Sequence, residues 1–462
     1  MVEIISPIDG AVIAERRRAT ESEVTTALDA AKAAQPAWAQ TPIEERARRC
    51  SAAVDAMLAM EPEIVPELAR QMGRPVRFGG GELRGFAERA RHMIDIAPRC
   101  LADHVPEPQA GFVRYVRREP LGTVFVVAPW NYPYLTAVNS IVPALMAGNT
   151  VVLKHAAQTL LVGERFERAF AEAGLPPGVF SNLVLGHEQT AAILASRRVQ
   201  QVNFTGSVEA GRAIERAGAG GFLGVGLELG GKDPAYVRAD ADLSFAIENV
   251  ADGAFFNSGQ SCCGIERVYV HEDRFDAFVE GLVGVASEHQ LGDPLDPATT
   301  LGPMVKGSAA DLVRDQVAAA CTAGGHSRVP EAAFAADVRG SAYLAPQVMV
   351  DVDHRMELMR EENFGPVVGV MPVTSDEEAV RLMNDSPYGL SASLWTEDLE
   401  VAEALGRQIE TGTVFLNRCD YLDPALAWTG VKDTGRGVTL SALGYETLTR
   451  PKSFHLREPG PR

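Results

Sequence analysis

The feature that most narrows the possible folds is the stretch from Gly122 to Phe204, where short apolar runs alternate with amphipathic segments. GTVFVVA, TVVLK, FSNLVLG and VQQVNF read as strands, while a segment near Ser140 to Ala147 and the run LVGERFERAFAEAG read as intervening helices. Apolar strands separated so regularly by helices imply a parallel sheet covered on both faces. In the second helix Phe166 and Phe170 stand four apart and should face the sheet, and Gly174 followed by Pro176 ends it. Open sheets of this kind bind ligands beyond the carboxyl ends of their strands.

A chain of 462 residues exceeds what one core organises, so two or three packed domains are expected. A second mixed region from Glu228 to about Gly437 contains ERVYVH, APQVMVDV, VVGVMPV and GTVFLN and reads as a second α/β domain. Alanine-rich helices from Glu21 to Arg99 supply scaffold rather than chemistry. GFVRYVRR, Gly111 to Arg118, suits an exposed strand or ribbon, and the basic tail LTRPKSFHLREPGPR is suited to adding a strand to a neighbour.

Charge and cysteine usage exclude several function classes. With 61 acidic against 43 basic residues the net charge is −18, a field that repels phosphate backbones and anionic lipid surfaces. Neither nucleic acid nor a membrane is an expected partner. The six cysteines show no zinc-like spacing, so no metal is expected and the thiols read as reduced. The opening MVEIISPIDGAVIAERRR has the wrong order for a signal peptide, and no apolar run approaches the ~20 residues of a membrane span. A cytoplasmic protein is the expectation.

Four segments carry potential chemistry. FNSGQSCC, Phe256 to Cys263, offers two thiols after a glycine turn whose amides can favour a thiolate, although buried, inert cysteines would look the same. In LELGGKDP, Leu227 to Pro234, Glu228 stands between Leu227 and Leu229. Desolvation there would raise its pKa toward that of a general base, while an edge-strand glutamate facing water is the plainer alternative. In APWNYP, Ala128 to Pro133, Asn131 is a rigid amide at a strand end that can meet an oxyanion, or an ordinary turn residue. NFTGSVEAGRAIERA, Asn203 to Ala217, is a strand, a glycine turn and a helix, the geometry that receives a phosphate at a helix N-terminus. It lacks both the lysine of a Walker A loop and the full GxGxxG fingerprint.

Taken in this order and spacing, the four segments resemble the aldehyde dehydrogenase superfamily, from SPIDGAVI at the start to GVKDTGRG near the end. The resemblance implies an α/β protein with a Rossmann-like cofactor domain (residues 1–105 and 122–227), an α/β catalytic domain (228–437) and a small β oligomerisation arm (106–121 and 438–462). It implies a homodimer or homotetramer. Carried over by residue, Cys262 is the nucleophile, Asn131 with the Cys262 amide the oxyanion hole, and Glu228 the base that argues against a coenzyme-A-acylating enzyme. For NAD or NADP the matching positions are Trp130, Lys154, Gly206, Ser207, Leu229, Glu362 and Phe364. Ala157 stands where NAD-preferring members carry a glutamate, so NADP should be tolerated, with Lys154 and a protonated His155 forming a positive edge.

The same resemblance places Tyr134, Asn139, Leu422 and Trp428 in the substrate pocket, with Asp420 and Asp423 nearby. Semialdehyde-acid dehydrogenases often carry arginine at the position of Asn139, so a neutral aliphatic or aromatic aldehyde is expected here. The alternatives are a succinate-semialdehyde type of enzyme, a catalytically silent relative that keeps the fold, and a cysteine hydrolase, for which no matching histidine motif exists.

Overall fold

The computed structural model describes residues 1–459. The first sheet is formed by β1 (Thr123–Val127), β2 (Thr150–Lys154), β3 (Phe180–Asn182), β4 (Gln201–Thr205) and β5 (Gly224–Glu228), in the order β5-β4-β1-β2-β3. All neighbours are parallel. Alternation within β1 shows why it is central: Val124 and Val126 enter one core with Phe166, while Phe125 and Val127 enter another with Leu28 and Ile214. Phe166 is fully buried and packs against Phe86, Tyr134, Phe170 and Phe180, as the four-residue spacing predicts for a sheet-facing helix stripe.

The second sheet contains β6 (Asp233–Val237), β7 (Ile265–His271), β8 (Gln347–Val350), β9 (Val367–Val373), β10 (Ser391–Trp395) and β11 (Thr413–Leu416), in the order β8-β9-β7-β6-β10-β11, again parallel. A short antiparallel strand, His326–Ser327, borders β8. The two sheets match the α/β class read from the sequence.

The ribbon strand Phe112–Pro120 pairs antiparallel with Thr449–Arg457 over nine residues, so GFVRYVRR and the tail find each other. Residues 435–448, which the sequence reading divides between catalytic domain and arm, are placed differently. Gly435–Arg436 pairs with the edge of β5, and the helix Ser441–Glu446 docks on the helix Val76–Cys100 through the Tyr445 hydroxyl, which donates to the Met93 carbonyl. Burial of Leu440 and Tyr445 forces this, and the ribbon begins only at Thr449. Gly460 to Arg462 of the expected arm lie outside the described residues. Among the described residues no helix is long and apolar enough to cross a membrane, and no group of three or more metal-ligating side chains occurs.

Candidate active site

Strand register assembles the site. At the carboxyl ends of the first sheet Lys154 lies beside Val127, Phe204 beside Val127 on the other side, and Thr205 beside Glu228. Loops from the second sheet, Ser261 to Cys263, Glu362 to Phe364 and Asp420 to Leu422, meet them across a cavity of about 610 Å³. Of the residues singled out in the sequence, Trp130, Asn131, Asn139, Lys154, Gly206, Ser207, Glu228, Leu229, Cys262, Glu362, Phe364, Leu422 and Trp428 line it.

Four expectations need correction. Tyr134 is buried away from the cavity against Phe166. In the helix Pro133–Met146 Leu135 and Asn139 are one turn apart and share the cavity face, whereas five residues separate Tyr134 from Asn139, about 140° around the axis. His155 is buried, with its ring placed between the Pro133 carbonyl and the Ala156 amide, and burial pulls its pKa down to about 3. It is neutral at ordinary pH, so it adds no charge beside Lys154. Ala157 is exposed just outside the cavity wall, which Ala156 forms instead. Asp423 is likewise exposed and off the wall.

The two sulfurs occupy different chemical positions. Cys262 is partly accessible and lines the cavity. Cys263 is buried, and its thiol donates to Asp420 Oδ1 at 2.8 Å. A hydrogen bond with Cys262, burial and the Asp420 charge all push the Cys263 thiol well up, which holds it protonated and inert. The Cys262 backbone N–H makes no hydrogen bond among the described residues.

Glu228 ends β5 with its carboxylate held by Thr205 Oγ1 at 3.0 Å and Thr439 Oγ1 at 2.5 Å. Burial raises its pKa above the usual carboxylate range, and these two donors oppose the rise. Gly230 and Gly231 follow because neither has room for a side chain: a Cβ would strike the Glu362 carboxylate at the first and the Cys262 carbonyl at the second. Beyond β4, Ser207 caps the helix Val208–Gly218, and the N–H groups of Ser207, Val208 and Glu209 make no hydrogen bond among the described residues. Such free amides suit a diphosphate.

Several positioning residues escaped the sequence reading. Arg74 and Glu82 form an ion pair that is almost wholly buried. Arg74 also donates to the Asn131 carbonyl at 2.6 Å and to Asn257 Oδ1 at 3.2 Å, and its guanidinium lies 4.6 Å from the Tyr132 ring centroid. Glu82 accepts from the Tyr134 and Leu135 amides, the first turn of the Pro133–Met146 helix. Asn257 closes the frame by donating to the Asn131 and Gln260 carbonyls, and Asn131 Nδ2 donates to the latter. A second buried pair, Lys232 with Glu266 at 2.6 Å, holds the Asn363 and Phe364 amides on the glutamate. Phe364, held at φ 51°, meets Trp130 edge to face. Arg89 also faces the cavity unforeseen, while Asp420, expected near the substrate pocket, lines it.

Residues 1–454 match the family described as "Aldehyde dehydrogenase family". This chain belongs to the aldehyde dehydrogenase family. An aldehyde dehydrogenase of Paenarthrobacter nicotinovorans is 36% identical over 98% of this chain and 99% of its own. PnpE from Pseudomonas sp. WBC-3, also solved in complex with nicotinamide adenine dinucleotide, superposes with a TM-score of 0.94 at 30% identity, covering 100% of this chain and 95% of that one. A succinic semialdehyde dehydrogenase from Streptococcus pyogenes, solved with NADP+, gives 0.93 at 27% identity, covering 99% and 100%. Relatives of similar identity are named for substrates as different in charge as betaine aldehyde and succinate semialdehyde. Family membership makes the chain an NAD(P)-dependent oxidoreductase acting on an aldehyde.

Breaking the Arg74–Glu82 pair from one side strands a buried charge. Arg74→Met is expected to cost about 3–5 kcal/mol, read as a lowered melting temperature, and to reduce turnover with it. The double change Arg74→Met, Glu82→Leu should recover much of the stability but not the turnover, because the Asn131 and Asn257 contacts stay lost. Full recovery of both would show that the pair does not position the site.

Proposed function

We propose that the chain oxidises an aldehyde to the carboxylic acid through a thioester on Cys262, with Glu228 as base and Asn131 with the Cys262 amide as oxyanion hole. The observation that carries this is the meeting of Cys262, Asn131, Glu228, Lys154, Ser207 and Glu362 in one cavity. The residues present fit a nicotinamide dinucleotide: free amides begin the Val208–Gly218 helix, and Lys154 ends β2 on the cavity wall. When bound, NAD or NADP supplies a hydride acceptor.

The Cys262 sulfur attacks the aldehyde carbon, and the new oxyanion accepts from Asn131 Nδ2 and the Cys262 N–H. Re-formation of the carbonyl with loss of hydride leaves the thioester. Glu228 then takes a proton from the water that attacks it, and the acid departs with the Cys262 thiolate restored. Exposed Val113 and Leu456 on the ribbon support pairing with a second copy, as a homodimer or homotetramer.

Turnover with an aldehyde panel and both cofactors, followed as NAD(P)H absorbance, tests the reading. Cys262→Ala should abolish turnover and Cys263→Ala retain most of it, while Glu228→Gln should give one equivalent of NAD(P)H and then stall with a steady rate lower by ~10²–10⁴. Equal loss from both cysteine changes would move the nucleophile.

The acid limb of the rate profile belongs to Glu228, which must be ionised to act. Thr439 donates to the charged form, so Thr439→Val raises the pKa further and moves that limb to higher pH. A limb that stays in place, or moves down, would assign it to another group.

Cofactor choice is tested at position 157, which lies next to the wall residue Ala156 rather than on the wall itself. A glutamate there would accept from the ribose hydroxyls and repel a 2′-phosphate, so Ala157→Glu should shift the ratio of efficiencies toward NAD by at least roughly tenfold. An unchanged ratio would place the ribose contacts elsewhere.

A further inference from the structure

Arg89 projects from the helix Val76–Cys100 into the cavity that holds Cys262. Its Nη1 donates to the Leu135 carbonyl at 3.0 Å and reaches Asn139 Oδ1 at 3.5 Å. Its Nε and Nη2 make no hydrogen bond among the described residues, and no carboxylate lies within ion-pair distance. A guanidinium carries five N–H donors in a planar fork, so most of this one is uncommitted.

The acids around Arg89 do not satisfy it. Glu82 is taken by Arg74 and two helix amides. Glu228 accepts from Thr205 and Thr439. Asp420 accepts from Ser261 Oγ at 3.1 Å, from Cys263 Sγ, and from the Tyr132 hydroxyl at 3.5 Å, while burial raises its pKa to about 6. Cys263 is held as a thiol. The charge on Arg89 is therefore disfavoured by its burial and lacks a close counter-ion.

A second observation comes from Asn139, one helical turn from Leu135. Its Nδ2 is buried without a hydrogen-bond partner among the described residues. Reversing the amide would set that NH2 against the guanidinium, donor to donor, so the orientation found is the favourable one. Arg89 and Asn139 together present unmatched N–H donors on one wall, beside apolar Leu135, Leu422 and Trp428. Unmatched donors around a fixed cation complement an acceptor-only, negatively charged group.

We propose that Arg89, with the Asn139 amide, anchors a carboxylate at the far end of the substrate, so that the preferred aldehydes are ω-oxo acids. This rests on the Cys262 reading above and deepens it. It also replaces the expectation of a neutral aldehyde: the cation absent from position 139 is supplied from another helix to the same place.

The test compares ω-oxo acids of four to six carbons with neutral aldehydes of equal length, in wild type, Arg89→Met and Arg89→Lys. Wild type should favour the ω-oxo acids by at least roughly tenfold in kcat/KM, because a site built to bond a charged group rejects the analogue lacking it. In Arg89→Met that ratio should collapse, chiefly through KM, and Arg89→Lys should restore part of it. Should Arg89→Met fail to fold, calorimetry on the wild type decides: glutarate, unreactive but carboxylate-bearing, should bind and compete with a neutral aldehyde, and its diamide should not. Equal efficiencies for both series, or no glutarate binding, overturns the anchor while leaving the Cys262 reading intact. Absence of NAD(P)H from every aldehyde overturns that reading instead.

Discussion

The Arg74–Glu82 ion pair is the contact through which the rest of the site is placed. Neither residue touches the cavity, yet the pair ties the Asn131 loop, the Asn257 turn and the first turn of the Pro133–Met146 helix into one frame. Two buried charges are costly unless each finds further partners. Here the remaining N–H groups of the guanidinium go to Asn131 and Asn257, and the second carboxylate oxygen goes to the helix amides. What the pair supplies is definition: it ties the Asn131 loop to the Asn257 turn that leads into Cys262, and the roles proposed for Asn131 and Cys262 require them to be held to within about 0.5 Å.

The Asn257 turn shows where that constraint is resisted. Asn257 and Ser258 adopt φ of 54° and 56°, a left-handed conformation that L residues other than glycine seldom take, and Gly259 continues it at 68°. The strain is held in place because Asn257 spends its amide on both neighbouring carbonyls and accepts from Arg74. The turn ends by presenting Cys262 to the cavity and turning Cys263 into the protein. Adjacent residues thus share a sequence context and differ in accessibility and partners, since only Cys263 is buried against Asp420.

How much of this was legible in the chain follows from the range of each interaction. The parallel sheets were readable because alternation of apolar strands and helices is local, and the residues lining the cavity were readable because Cys262, Glu228, Asn131 and Ser207 lie within short motifs. Arg74, Glu82 and Glu266 were not, because nothing near them in sequence distinguishes a buried arginine or glutamate from an exposed one. Tyr134 was misplaced for a helical reason: the segment was read as a wall, but a helix shows a wall only every third or fourth residue. His155 was misread because its burial depends on Pro133, which the strand β2 meets only after folding.

The cavity gathers Glu228, Glu362 and Asp420 with raised pKa values and Lys154 with a lowered one, every shift dominated by desolvation. Burial raises the Glu228 pKa, the direction that suits the general-base role proposed for it. Arginine is the exception, because its guanidinium stays protonated even when burial lowers its pKa. Unlike Glu228, Glu362, Asp420 and Lys154, Arg89 therefore keeps its charge whatever else the site is doing. A substrate held by it keeps the same anchor whether Glu228 is protonated or not, so binding and proton transfer are assigned to different residues within one cavity.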